Sequence, residues 1–92
     1  MKNERLRKYL QHTYEDSVLF DTPEIDGSIV GISSDHRIVY DAEKIAKELR
    51  TDKGLSADEI FIVLSNLIQS IDAITIGIPP LIVDFRLGKK YN

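Results

Sequence analysis

The apolar positions of this chain follow two rhythms, and each predicts a kind of element. Near the start, Leu6, Tyr9 and Leu10 fall at i, i+3 and i+4, which predicts a short helix over residues 3–13 with Arg5, Lys8 and Gln11 outside the apolar stripe. A helix of about ten residues is marginal alone, so it docks through those three side chains or frays. The rhythm then changes to β-branched runs, at residues 28–32 and 37–40, separated by the polar Ser33-Ser34-Asp35-His36. Two such runs around a short polar loop predict an antiparallel hairpin. Gly31 inside the first run marks a bulge or a point of close packing. Upstream, residues 17–20 form a candidate edge strand that Asp21-Thr22-Pro23 terminates, because proline lacks a backbone donor.

The helical rhythm returns over residues 42–50, where Ala42, Ile45, Ala46 and Leu49 share a face, Asp41 is placed to cap the first turn and Glu43 to pair with Lys47. Gly54 suits a left-handed helix end. Ser56-Ala57-Asp58-Glu59 is a capping box flanked by Leu55 and Ile60, and it starts a helix over residues 57–71. Ile60, Val63, Leu64, Leu67, Ile68 and Ile71 form its broad apolar face, with Phe61 at the margin. Ile62 points the other way, toward Asn66 and Gln69.

After Asp72 the helical period is lost, and Pro79-Pro80 imposes extended backbone. Residues 81–87 alternate, with Leu81, Val83, Phe85 and Leu87 toward the core and Ile82, Asp84 and Arg86 toward solvent, and residues 88–92 are expected to be a mobile tail. The predicted architecture is α+β in one domain over residues 1–92. An antiparallel sheet combines the hairpin 28–40 with strand 81–87, optionally extended by 17–20, and packs against helices 42–50 and 57–71, with residues 1–13 as an edge helix or arm.

Composition narrows the setting more than the role. With 42% hydrophobic and 29% charged residues in 92, the chain is an ordinary globular protein able to build one modest core. It has no cysteine, which removes disulfides and thiolate chemistry and is expected of a cytoplasmic protein. No run is long and apolar enough for a membrane span, and no signal peptide is recognisable, so no membrane association is expected.

The net charge of −3 is unevenly spread: Lys2, Arg5, Arg7 and Lys8 lie near the start, and Glu15, Asp16, Asp21, Glu24, Asp26 and Asp35 follow without an intervening Lys or Arg. The two stretches either pair in the fold or present a face for phosphate or for a basic partner.

Candidate chemistry is sparse. His12 and His36 are the two histidines, and His36 beside Ser33, Ser34 and Asp35 reads as a turn residue, because neighbours on a tight turn rarely adopt triad geometry. Asp21, Glu24 and Asp26 lack the spacing of a calcium loop and fit turn capping. The five glycines make no phosphate-binding loop. No catalytic residue, cofactor or metal ligand is therefore expected.

The words Phe20-Asp21-Thr22-Pro23, Ser28-Ile29-Val30-Gly31, Arg37-Ile38-Val39-Tyr40-Asp41 and Leu55-Ser56 to Glu59 resemble those of a group of small uncharacterised proteins of bacteria and their prophages or plasmids. The resemblance covers roughly residues 14–85, and it departs at the hairpin turn, where such proteins tend to have Asp-Gly and this chain has Asp35-His36. It implies a small accessory protein of bacteria or of mobile elements, with no activity attached.

The leading expectation is a non-enzymatic accessory or regulatory protein acting through a protein partner or self-association, with Ile62, Asn66, Gln69, Arg5 and Lys8 as the candidate surface. The alternative is a nucleic-acid-binding regulator using the basic residues Lys2, Arg5, Arg7 and Lys8. A third reading is a small metal-dependent hydrolase using the acids of residues 21–26 with His36.

Overall fold

A computed structural model describes residues 3–91. The elements are α1 (Glu4–Thr13), a 3-10 helix (Pro23–Ser28), β1 (Ile29–Ile32), β2 (Ile38–Asp41), α2 (Ala42–Lys53), α3 (Ala57–Ala73), β3 (Leu81–Asp84) and β4 (Lys89–Tyr91). The class is α+β, as the sequence pattern predicts.

Local signals account for the element ends. The Asp41 carboxylate accepts from the Glu43 N–H at 2.9 Å to open α2, and Gly54 closes it with φ 67°. Ser56 and Glu59 form the reciprocal capping box of α3: Glu59 N–H donates to Ser56 Oγ at 3.3 Å, and Ser56 N–H donates to Glu59 Oε1 at 2.9 Å. A bulge interrupts the β1–β2 register between Ile29 and Gly31, and a Cβ built at Gly31 would meet nothing within 4 Å. Gly31 therefore marks the bulge and not close packing.

Among the described residues the strands lie in the order β1-β2-β3-β4. The sheet is mixed where an antiparallel one was expected: β1–β2 and β3–β4 are antiparallel, but β2 and β3 run parallel with Tyr40 opposite Ile82. A parallel pair needs a crossover connection of about a dozen residues or more, and α2 and α3 supply it.

The final strand differs in two further ways. β3 stops at Asp84, whose Oδ1 accepts from the N–H groups of Arg86 (3.1 Å) and Leu87 (3.3 Å), and Gly88 at φ 64° completes the turn to β4. Phe85 and Leu87 are consequently 63% exposed, while Ile82 and Asp84 are buried, the reverse of expectation at these four positions, whereas Leu81 is buried as expected. Residues 88–92, expected as a mobile tail, contribute β4, with Asn92 outside the described residues. Residues 17–20 do not join the sheet. Ser17 makes one isolated parallel bridge to Ile78, with Val18 N–H on Ile78 O at 2.8 Å and Ile78 N–H on Asp16 O at 2.7 Å.

One face of the sheet carries the core. Ile38, Tyr40 and Ile82 are fully buried beneath Ala42, Ile45 and Leu49 of α2 and Ile60, Leu67 and Ile71 of α3. Ile25 of the 3-10 helix, Phe20 and Leu10 of α1 complete it. Leu10 and, partly, Leu6 dock α1, while Tyr9 of the predicted stripe stays exposed and Arg7 turns inward.

Candidate interaction surface

The basic segment is rebuilt by the fold. Arg7 donates through Nε to Asp26 Oδ2 at 2.7 Å and through Nη2 to Asp26 Oδ1 at 2.9 Å and to the Phe20 carbonyl at 2.6 Å. Asp26 is only 1% exposed, so this bidentate pair belongs to the core's edge, and its hydrogen bonding raises the Arg7 pKa above its usual value against the cost of burial. Phe20 is held from both sides, because its N–H donates to the Tyr40 hydroxyl at 3.1 Å and the two rings pack with centroids 4.7 Å apart. Burial pushes the Tyr40 phenol above the usual tyrosine range.

The other described candidate cations stay at the surface. Lys8 faces Glu4 one turn away at 3.4 Å, Arg5 is exposed on α1, and Lys2 lies outside the described residues. Glu43, expected to pair with Lys47, instead meets Arg86 of the β3–β4 turn at 3.5 Å.

His36 occupies the hairpin turn with φ 64°, the left-handed region that glycine takes without strain. Three contacts hold it: Ser17 Oγ donates to its carbonyl at 2.5 Å, its N–H donates to Ser33 O at 2.9 Å, and its ring meets Tyr14 edge-on at 5.5 Å. The Ser33 hydroxyl donates to the Asp35 carboxylate and holds its pKa below the usual value. His36 is thus built into a turn, and Asp26 into the arginine pair. Among the described residues, no three His, Cys, Asp or Glu side chains converge where a metal could sit. Arg37 lines a broad depression of about 540 Å³ with Asp35, Asp72 and Pro79, but its Nε and Nη2 donate to the carbonyls of Pro79 (3.1 Å) and Pro80 (2.8 Å).

The outer side of α3 carries two exposed large hydrophobes on a regular element. Ile62 is 57% exposed, and Asn66 and Gln69 beside it are exposed as well. The sequence reading missed the neighbouring stripe. Phe61, placed there at the margin of the core face, is 71% exposed, and with Leu64, Ser65 and Ile68 it forms one wall of a cleft of about 160 Å³. Tyr91, Ile82 and Asp84 form the other wall. Phe61, Leu64, Ser65 and Ile68 stand at i, i+3, i+4 and i+7, a signal readable in the sequence, but Tyr91 was assigned to a tail and gave no reason to expect a wall opposite.

Fold and surface define a small α+β protein with a mixed sheet, exposed Phe61 and Ile62 on its longest helix and a cleft between that helix and the sheet edge. No family model, curated protein or solved structure matches this chain. Among the described residues, no helix is long and apolar enough to cross a membrane.

Proposed function

We propose that this chain is a non-enzymatic accessory or regulatory protein that acts by binding another protein through the outer side of α3. The supporting observation is the pair of adjacent large apolar side chains, Phe61 at 71% and Ile62 at 57% exposure, on a helix whose opposite face anchors the core. Single exposed hydrophobes are ordinary, but here one of two consecutive ones, Phe61, also lines an apolar cleft, which favours a contact surface. The nucleic-acid alternative draws less support, since Arg7 is engaged by Asp26 and Lys8 stands beside Glu4.

The test is a photo-reactive benzophenone residue introduced at position 61 or 62, with the same probe at Gln11 on α1 as a control. Cross-linking in bacterial cells that is specific to α3 and is abolished by Phe61→Glu in the position-62 probe supports the reading. Equal capture at all three positions, or none, overturns it.

A further inference from the structure

We infer that β4 is the docking edge for an extended acidic segment of a partner protein, which adds as a fifth strand and seats an apolar side chain in the cleft between Phe61 and Tyr91. This deepens the protein-binding reading above and rests on it.

The backbone supplies the first reason. β4 ends the strand order, so among the described residues one side of it pairs with β3 and the other has no strand beside it. An unpaired edge is a template for strand addition, in which main-chain hydrogen bonds provide affinity and alternate side chains provide specificity.

Register supplies the second. Tyr91 pairs with Ile82 and Lys89 with Asp84, which puts Tyr91 and Lys89 on the helix-bearing side of the sheet; Lys90 pairs with Val83 on the opposite side. Tyr91 lines the cleft with Phe61, Leu64 and Ile68, so the cleft flanks the open edge on the helix side. Side chains of a strand laid along β4 alternate between the two sides, so an apolar residue entering the cleft is preceded and followed by residues beside Lys90.

Charge decides the occupant. Lys89 and Lys90 are both exposed on a chain whose net charge is −3. Pairing β4 with β4 of a second copy would bring lysines against lysines, and like charges across a ladder are destabilising. Carboxylates alternating with aliphatic residues set the acids beside Lys90 and the aliphatic side chains on the cleft side, where Lys89 lies opposite Asp84. A nucleic acid would match the lysines but would place no aliphatic group in a cleft lined by Phe61, Leu64 and Ile68.

The probes are a synthetic peptide alternating glutamate with valine and isoleucine, its lysine-substituted counterpart and a single-stranded oligonucleotide, each titrated into isotope-labelled protein. We expect the glutamate peptide to shift the amides of β4 and of Phe61, with binding weakened about tenfold or more by the double variant Lys89→Glu/Lys90→Glu. That same variant should acquire affinity for the lysine peptide, a reversal that loss of folding does not produce. Equal binding of both peptides, preference for the oligonucleotide, concentration-dependent dimerisation through β4, or shifts confined elsewhere would overturn strand addition. Specific cross-linking from position 62 together with failure of the peptides would leave the α3 reading standing and remove only the β4 mode. Absent cross-linking would remove that reading itself.

Discussion

Arg7 and Asp26, nineteen residues apart, form a two-pronged ion pair that ties α1 to the 3-10 helix and reaches on to the Phe20 carbonyl. Arg7→Ala leaves a carboxylate that is 1% exposed without its partner, and removal of one member of a buried pair costs about 3–5 kcal/mol. Arg7→Lys should recover little of this, because an ammonium cannot reproduce the bidentate geometry. Arg7→Met combined with Asp26→Leu should recover much of it, because no uncompensated charge remains. Urea denaturation of the parent and these three variants measures the differences. Equal stability of Arg7→Ala and the parent would contradict it.

Gly77 has φ 91°, and a Cβ there would stand 2.9 Å from both the Asp16 carbonyl oxygen and Val18 Cγ2. Gly77→Ala should therefore destabilise by about 1–3 kcal/mol, a fall in Tm on the order of 5–15 °C for a domain of this size. Gly31→Ala meets no neighbour and should change Tm by far less. Thermal melts of the two variants, side by side, make the comparison.

His36 replaces glycine's conformational ease with packing. Its left-handed backbone costs about 1–2 kcal/mol relative to glycine, and the edge-on contact with Tyr14 returns about 0.5–1.5 kcal/mol. His36→Gly should thus be close to neutral, whereas His36→Val, which loses the ring and adds β-branching in the same conformation, should be destabilising by about 2 kcal/mol or more. Chemical denaturation of both separates backbone strain from ring packing.

Glu59 is held below its usual pKa, first by the Ser56 backbone N–H and then by its hydroxyl. A carboxylate with a depressed folded-state pKa contributes stability that is present above its unfolded value and is lost as pH falls through the folded one. Glu59→Gln should therefore narrow the stability gap between neutral pH and pH values below the ordinary glutamate range. Melts across that window test this, and an unchanged acid slope would count against the capping-box bond in solution.

Legibility of these features follows the range of the forces behind them. The capping box of α3 and the Asp41 cap of α2 use partners within three residues, so the sequence displays both members together. The stripes of α2 and α3 follow from helical period alone. The direction of β3 was not legible, because apolar alternation reads the same in a parallel and an antiparallel ladder. Its end was misread because Phe85 and Leu87 continue the alternation through a turn that the Asp84 side chain imposes. The charge pattern made a pairing of the basic start with the acids of residues 15–35 legible, but not that Arg7 and Asp26 would be the partners, because they lie nineteen residues apart. Of the candidate surface, Ile62, Asn66 and Gln69 were readable from α3 by itself, whereas the cleft opposite Phe61 requires knowing that Tyr91 returns beside Ile82.

The parallel pairing of β2 with β3 also sets an order of events in folding. Residues 42–80 separate these neighbours, so the centre of the sheet closes only after the loop-closure entropy of that long connection has been met. On a ribosome, every element through α2 emerges before β3, and the Tyr40 row waits with one flank open until Ile82 arrives. A nascent chain stalled before β3 exposes that flank, which makes the interval between synthesis of α2 and of β3 the stage at which this protein is most vulnerable to aggregation and to proteases.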